Sequence, residues 1–176
     1  QNGKDPEAIA DYSTAIKLNP DFGESYVNRG MLYVKTGQPE NALADFNKAV
    51  LIDGKNAEVF YQRGILFRDM KKQTEALADF AKATTLSPTM GKAFFEAGKI
   101  HAVQHKNDVA MGEYSKAITA GFATEELYRE KGNCNVALGK NDEAIKDYSM
   151  VIEHFHSTDA EMYRTRGELF ARQKNY

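Results

Sequence analysis

Cysteine is nearly absent from this chain: Cys134 stands alone among 176 residues, so no internal disulfide can form. A lone thiol favours a reducing compartment, and a cytoplasmic location is the expectation. No apolar run approaches the roughly 20 residues that a membrane-spanning helix needs, so no membrane partner is expected. Neither sign of charge is in excess: 23 Lys and Arg are interleaved with 25 Asp and Glu, for a formal net charge of −2. That balance argues against the basic surface on which non-specific nucleic-acid binding depends. Gly-rich phosphate loops, nucleophile elbows and paired-carboxylate arrangements are missing too, which leaves no catalytic residue and no cofactor to name. No signal-like segment opens the sequence. Because the chain starts on Gln1 without an initiator Met, it is expected to be a piece of a longer one.

What the chain does have is a period. Ala8, Ala42, Ala76, Ala110 and Ala144 fall 34 residues apart. Four residues after each comes a ring: Tyr12, Phe46, Phe80, Tyr114 and Tyr148. Three further on stands a small or branched apolar residue: Ala15, Ala49, Ala83, Ala117 and Val151. A glycine column runs in parallel at Gly30, Gly64, Gly98 and Gly132, then at Gly167 after one extra residue. A fixed period of this length means stacked supersecondary units, each unable to bury its apolar face alone.

Each period holds two helix-like stretches. In Glu24–Thr36, Val27, Met31 and Val34 lie on one stripe and Tyr26, Gly30 and Tyr33 on another, so the helix has contacts on two sides. The second stretch, near Pro39–Leu51, places Ala42, Phe46 and Ala49 on one face. Gly3, Gly37 and Gly139 mark the turn inside a unit, and Asp5-Pro6, Asn107-Asp108 and Asn141-Asp142 read as N-caps of the second helix. Asn19-Pro20, Asp53-Gly54, Ser87-Pro88 and Ala120-Gly121 end it. The expectation is ten helices and no strand, with the small columns admitting a neighbouring helix and the ring filling the space beside it.

The pattern Tyr26-x-x-Arg-Gly30-x-x-Tyr33, then Ala42-x-x-x-Phe46-x-x-Ala49, resembles the tetratricopeptide repeat. Phe60, Gly64, Phe67, Ala76, Phe80, Ala83 and Pro88 repeat it more fully, and Tyr128, Gly132, Ala144 and Tyr148 follow, then Tyr163, Gly167 and Phe170. Two departures fall before the intra-unit turn, where His101 and Asn135 replace the usual aromatic. The resemblance implies an all-α, right-handed α-solenoid of about ten helices, with full units at 23–56, 57–90, 91–124 and 125–159. Residues 1–22 supply only a second helix and 160–176 only a first, so the array is expected to continue beyond both ends, and isolated chains are expected to associate head to tail there.

Local chemistry is sparse. His101 and His105 stand four apart on one helix, a spacing that can share a metal, but no third ligand is near and no metal is expected. His154 and His156 fall in the linker that carries the one-residue insertion. Cys134 sits among small packing positions, as a buried inert thiol would. Asp45/Lys48, Asp79/Lys82 and Glu113/Lys116 read as ion pairs on helix surfaces, each worth a few tenths of a kcal/mol.

By resemblance, the first helix of each unit lines a concave groove that holds extended or helical peptide segments. The corresponding positions here are Val27, Met31 and Val34; Tyr61, Ile65 and Arg68; Phe95 and Lys99; and Arg129 and Asn133. Val27, Met31, Val34, Tyr61, Ile65 and Phe95 are expected to form one apolar strip, with a mixed, charged continuation. The function implied is a protein-interaction scaffold for a partner peptide or protein. The alternatives are the helical-repeat portion of a larger enzyme or assembly whose catalytic domain lies elsewhere, and a helical-repeat nucleic-acid binder, which the charge balance disfavours.

Overall fold

The computed structural model describes residues 4–173, so the turn read at Gly3 lies outside the described residues. Ten α-helices and no strand occur among them. Two compact units divide the chain, Gln1–Pro88 and Thr89–Tyr176. The first holds α1 (Asp5–Leu18), α2 (Gly23–Lys35), α3 (Pro39–Ile52), α4 (Ala57–Asp69) and α5 (Gln73–Leu86). The second holds α6 (Gly91–Val103), α7 (Asn107–Thr119), α8 (Glu125–Ala137), α9 (Asn141–Ser149) and α10 (Ala160–Gln173). Within them α2 pairs with α3, α4 with α5, α6 with α7 and α8 with α9.

The glycine column is what brings each pair together. A Cβ on Gly30 would stand 2.8 Å from Phe46 Cε1, and on Gly64 2.7 Å from Phe80 Cε1. On Gly98 and Gly132 it would stand 2.5 Å and 2.7 Å from the rings of Tyr114 and Tyr148. No other residue lets the ring 16 positions later approach the first helix this closely, and all four rings are fully buried. Ala42, Ala76, Ala110 and Ala144, one turn before each ring, are buried completely for the same reason.

The turn inside each pair is a left-handed residue at one fixed position: Gly37, Lys71, His105 and Gly139 all have φ between 58° and 73°. The next amide then reaches back five residues, Gln38 N to Tyr33 O at 2.8 Å and Lys72 N to Phe67 O at 2.8 Å, with the same bond at Lys106 and Lys140. This closure satisfies the last carbonyls of the first helix and delivers the chain directly into the second. It also corrects the N-caps read at Asp5, Asn107 and Asn141. These residues are already helical, the cap positions are Lys4, Lys106 and Lys140, and no side chain caps them. Side-chain caps occur instead on first helices: Asn56 Oδ1 accepts from Glu58 N at 3.1 Å, and Thr124 Oγ1 from Leu127 N at 3.2 Å.

The inserted residue is likewise not in a linker. α9 runs on into a π-helical turn, Met150–His154, where Phe155 N bonds Met150 O at 3.2 Å. Widening the helix by one residue keeps Val151 and Ile152 buried while the register slips. His154 is therefore an exposed helical residue, and only His156 lies in the connection.

A larger correction concerns the acidic residues before the rings. Asp45 and Asp79 are buried, and neither is a surface partner of Lys48 or Lys82. Arg29 grips Asp45 through Nε and Nη2 at 2.8 and 2.7 Å, and Arg63 grips Asp79 at 2.7 and 2.8 Å. The remaining arm reaches back to the preceding second helix, Arg29 Nη1 to Ser13 Oγ at 2.9 Å and Arg63 Nη1 to Asn47 Oδ1 at 2.8 Å. Each arginine thus ties its own hairpin to the helix before it. In the second unit Lys131 Nζ and Asn135 Nδ2 share Asp147, at 2.6 and 2.8 Å, which explains why Asn135 can replace an aromatic while fully buried. Glu113 does pair with Lys116, at 2.8 Å, as the sequence suggests; the arginine position is Ala97 there.

Candidate functional site

In the first unit the positions proposed for the groove are built on α2 and α4. Val27 is half-buried against the core around Phe46, whereas Met31 and Val34 on the same stripe stay 43% and 38% exposed. Tyr61, Ile65 and Arg68 on α4 are half-buried. The Tyr61 ring is fixed by Phe80, with centroids 6.0 Å apart, and Arg68 Nη2 lies 2.7 Å from Asp69 Oδ1. A recess of about 210 Å³ adjoins Val27, walled by Phe22, Ile52, Asn56 and Val59. The α2 and α4 stripes therefore present apolar area on side chains whose bases are locked by the core, a surface suited to an apolar segment.

The second unit departs from expectation at Phe95, which is 3% exposed and belongs to the core. Its ring packs on Tyr114 at 5.8 Å and on Phe122 at 5.4 Å, and Lys99 Nζ covers it at 5.0 Å from the centroid. Phe122 reaches that place because Gly91 has no Cβ; one there would stand 2.3 Å from Phe122 Cβ. Val27 and Tyr61, at the same register position, are half-buried, so equal spacing gave unequal exposure. Phe95 therefore contributes no exposed apolar surface, contrary to its expected place in the strip.

Lys99 and Asn133 do converge. They line a cleft of about 340 Å³ together with Ala102, Val103, Asn107, Glu130 and Cys134. Lys99 Nζ is held by Glu126 at 3.0 Å and Glu96 at 3.7 Å, and Asn133 Oδ1 accepts from the Tyr148 hydroxyl at 2.8 Å. Arg129 is half-buried on the same helix but is not among the residues lining the cleft. Asn107 and Glu130 escaped the sequence reading because they come from the start of α7 and a different α8 stripe. Burial, aided by Glu130, pushes the Cys134 thiol up to about 11, so this wall of the cleft offers no nucleophile.

His101 and His105 are not brought together as ligands. His105 is the exposed left-handed residue of the turn, while His101 is half-buried with Nδ1 shielded and unbonded. Among the described residues no group of three or more His, Cys, Asp or Glu is placed to hold a metal ion. No helix among them is long and apolar enough to cross a membrane.

One family model, described as TPR repeat, matches residues 1–37, and another, described as tetratricopeptide repeat, matches 23–56 and 57–90. No curated protein matches the sequence. Among solved structures, YrrB, described as a TPR protein with an unusual peptide-binding site, superposes with a TM-score of 0.81 at 24% identity, over 93% of this chain and 84% of its own. A MamA protein superposes with a TM-score of 0.78 at 24% identity, over 86% and 82%. PilF of Pseudomonas aeruginosa does so with 0.79 at 17% identity, over 99% and 85%. At these identities the likeness is one of fold.

Proposed function

This chain belongs to the tetratricopeptide repeat family, and we propose that it is a protein-interaction scaffold that holds a peptide segment of its partner along the first helices of its repeats. The observation that carries this reading is the stripe of Val27, Met31 and Val34 beside Tyr61 and Ile65. These apolar side chains remain partly exposed beside columns of rings and alanines that are fully buried, Phe46, Phe80, Ala42, Ala49, Ala76 and Ala83. The peptide-binding site ascribed to YrrB, a protein of the same fold, supports it. Lys99 and Asn133, and Arg129 near them, would serve polar groups of a segment bound to the second unit. The repeats are read as 23–56, 57–90, 91–124 and 125–159, and the single thiol suits a cytoplasmic setting. A second copy of the chain, joined end to end, is proposed as a further partner.

Preorganisation is the physical advantage. The side-chain bases are fixed by the glycine–ring contacts, so on binding the partner segment bears most of the ordering entropy. Ile65→Asp tests the reading: a segment identified by crosslinking to the intact chain should bind the variant at least tenfold more weakly, with the melting temperature nearly unchanged. Loss of folding would make Ile65 core, and unaltered affinity would move the site elsewhere. Binding should respond only modestly to salt, because apolar contact outweighs the mixed charges.

A further inference from the structure

The outer face of α10 carries half of an interaction that is complete elsewhere in the molecule. At Gly30, Gly64, Gly98 and Gly132 an added Cβ would collide with a ring; at Gly167 it would meet nothing within 4 Å. The ring seat on α10 is thus formed and empty among the described residues. The aromatics flanking it are correspondingly bare: Tyr163 is 49% exposed where Tyr26 and Phe60, at the same register, are 8% and 7%, and Phe170 is exposed where Tyr33 and Phe67 are half-buried. Arg166 stands before Gly167 as Arg29 and Arg63 stand before Gly30 and Gly64. It makes the backward bond of that column, Nη1 to Ser149 Oγ at 2.8 Å, but where the others grip a buried aspartate it holds the exposed Glu153 at 2.6 Å.

What completes such a seat is a helix with an acid immediately before a ring, and alanines four before and three after the ring. α1 has that sequence: Ala8, Asp11, Tyr12 and Ala15. It also has the reciprocal deficit. α1 has no buried residue, Tyr12 is only half-buried where Phe46 and Phe80 are fully so, and Asp11 is exposed where Asp45 and Asp79 are buried. We propose that the α10 face binds α1 of a second copy of this chain, with the Tyr12 ring on Gly167 and the Asp11 carboxylate on Arg166. This gives the chemistry of the end-to-end partner named above and makes the contact heterologous, so that each chain offers one donor end and one acceptor end.

Gly167→Leu is the decisive variant, because its side chain enters open space in the isolated chain but fills the seat. Sedimentation velocity at rising concentration should show the wild-type chain growing in mass, and Gly167→Leu remaining a monomer with a melting temperature no lower than that of the wild type. Tyr12→Ala, checked for helix content, should also be monomeric. Mixing the two variants should then give pairs that stop at two chains, since Gly167→Leu keeps a good α1 and Tyr12→Ala keeps a good seat. If Gly167→Leu grows like the wild type, the chains associate through another surface and the seat is refuted while end-to-end partnership by some other contact survives. A wild-type chain that stays monomeric throughout refutes both. Ile65→Asp should associate normally, which separates this contact from the peptide-binding stripe.

Discussion

Substituting Gly64 probes the contact on which the repeat depends. A Cβ there would lie 2.7 Å from Phe80 Cε1, 2.9 Å from Cδ1 and 3.2 Å from Cζ. The ring cannot step aside: Phe80 is fully buried, and Tyr61 packs on it with centroids 6.0 Å apart. Overpacking a filled core costs roughly 1–3 kcal/mol, and relief of glycine's helix penalty returns about 1 kcal/mol. Gly64→Ala should therefore lose about 0–2 kcal/mol, and Gly64→Leu, whose outer carbons drive further into the ring, about 2 kcal/mol or more. Gly167→Ala is the internal standard. With nothing within 4 Å, it keeps only the propensity gain and should be stabilised by about 1 kcal/mol. Repeat proteins need not unfold in one step, so the assay is urea denaturation followed by hydrogen exchange at the amides of α4 and α5. A Gly64→Leu chain with an unchanged urea midpoint and unchanged α4 and α5 protection would refute the close-approach argument.

Asp79→Ala strands the Arg63 guanidinium, whose side chain is 17% exposed, and should cost roughly 2–3 kcal/mol, somewhat below the roughly 3–5 kcal/mol of a fully buried pair. Lys82→Ala should change stability by less than about 0.5 kcal/mol, and equal effects in denaturation would restore the surface-pair reading. Burial raises Cys134 from its ordinary 9.0 to about 11, so the folded chain holds that proton longer than the unfolded one. Its contribution is complete below pH 9 and lost towards pH 11; Cys134→Ala should flatten that alkaline fall, and the thiol should resist alkylation at neutral pH until the chain unfolds. His101 has the opposite sign: burial lowers it from 6.5 despite Glu113, so its contribution is present above the ordinary value and fades as pH falls below it. His101→Phe, which restores the ring of its column, should reduce the acid loss seen in urea midpoints.

Much of the fold is legible in the residues alone, because the strongest constraints are periodic. A glycine and a ring held 16 apart in four successive units already imply a helix pair meeting at that glycine, and the ends of α1, α3, α5 and α7 fall at the punctuation read from sequence. The resemblance to the tetratricopeptide repeat follows from the same columns. Spacing also places Met31, Val34, Tyr61 and Ile65 on half-exposed helix faces.

Only tertiary structure decides what crosses over from a neighbouring element. Asp45 and Asp79 have a lysine one turn away in sequence, yet an arginine from the preceding helix takes each carboxylate, because a bidentate pair inside the hairpin is stronger than an exposed lysine contact. Phe95 shares its column with Tyr61 but is covered by Phe122, a ring from beyond the end of α7 that enters through the gap at Gly91. The extra residue before α10 becomes a π-helical turn, since the buried faces of Val151 and Ile152 hold the helix together through the slip in register. Sequence period says which residues face a neighbour; the packing of that neighbour settles which of them meet solvent, a charge or another ring.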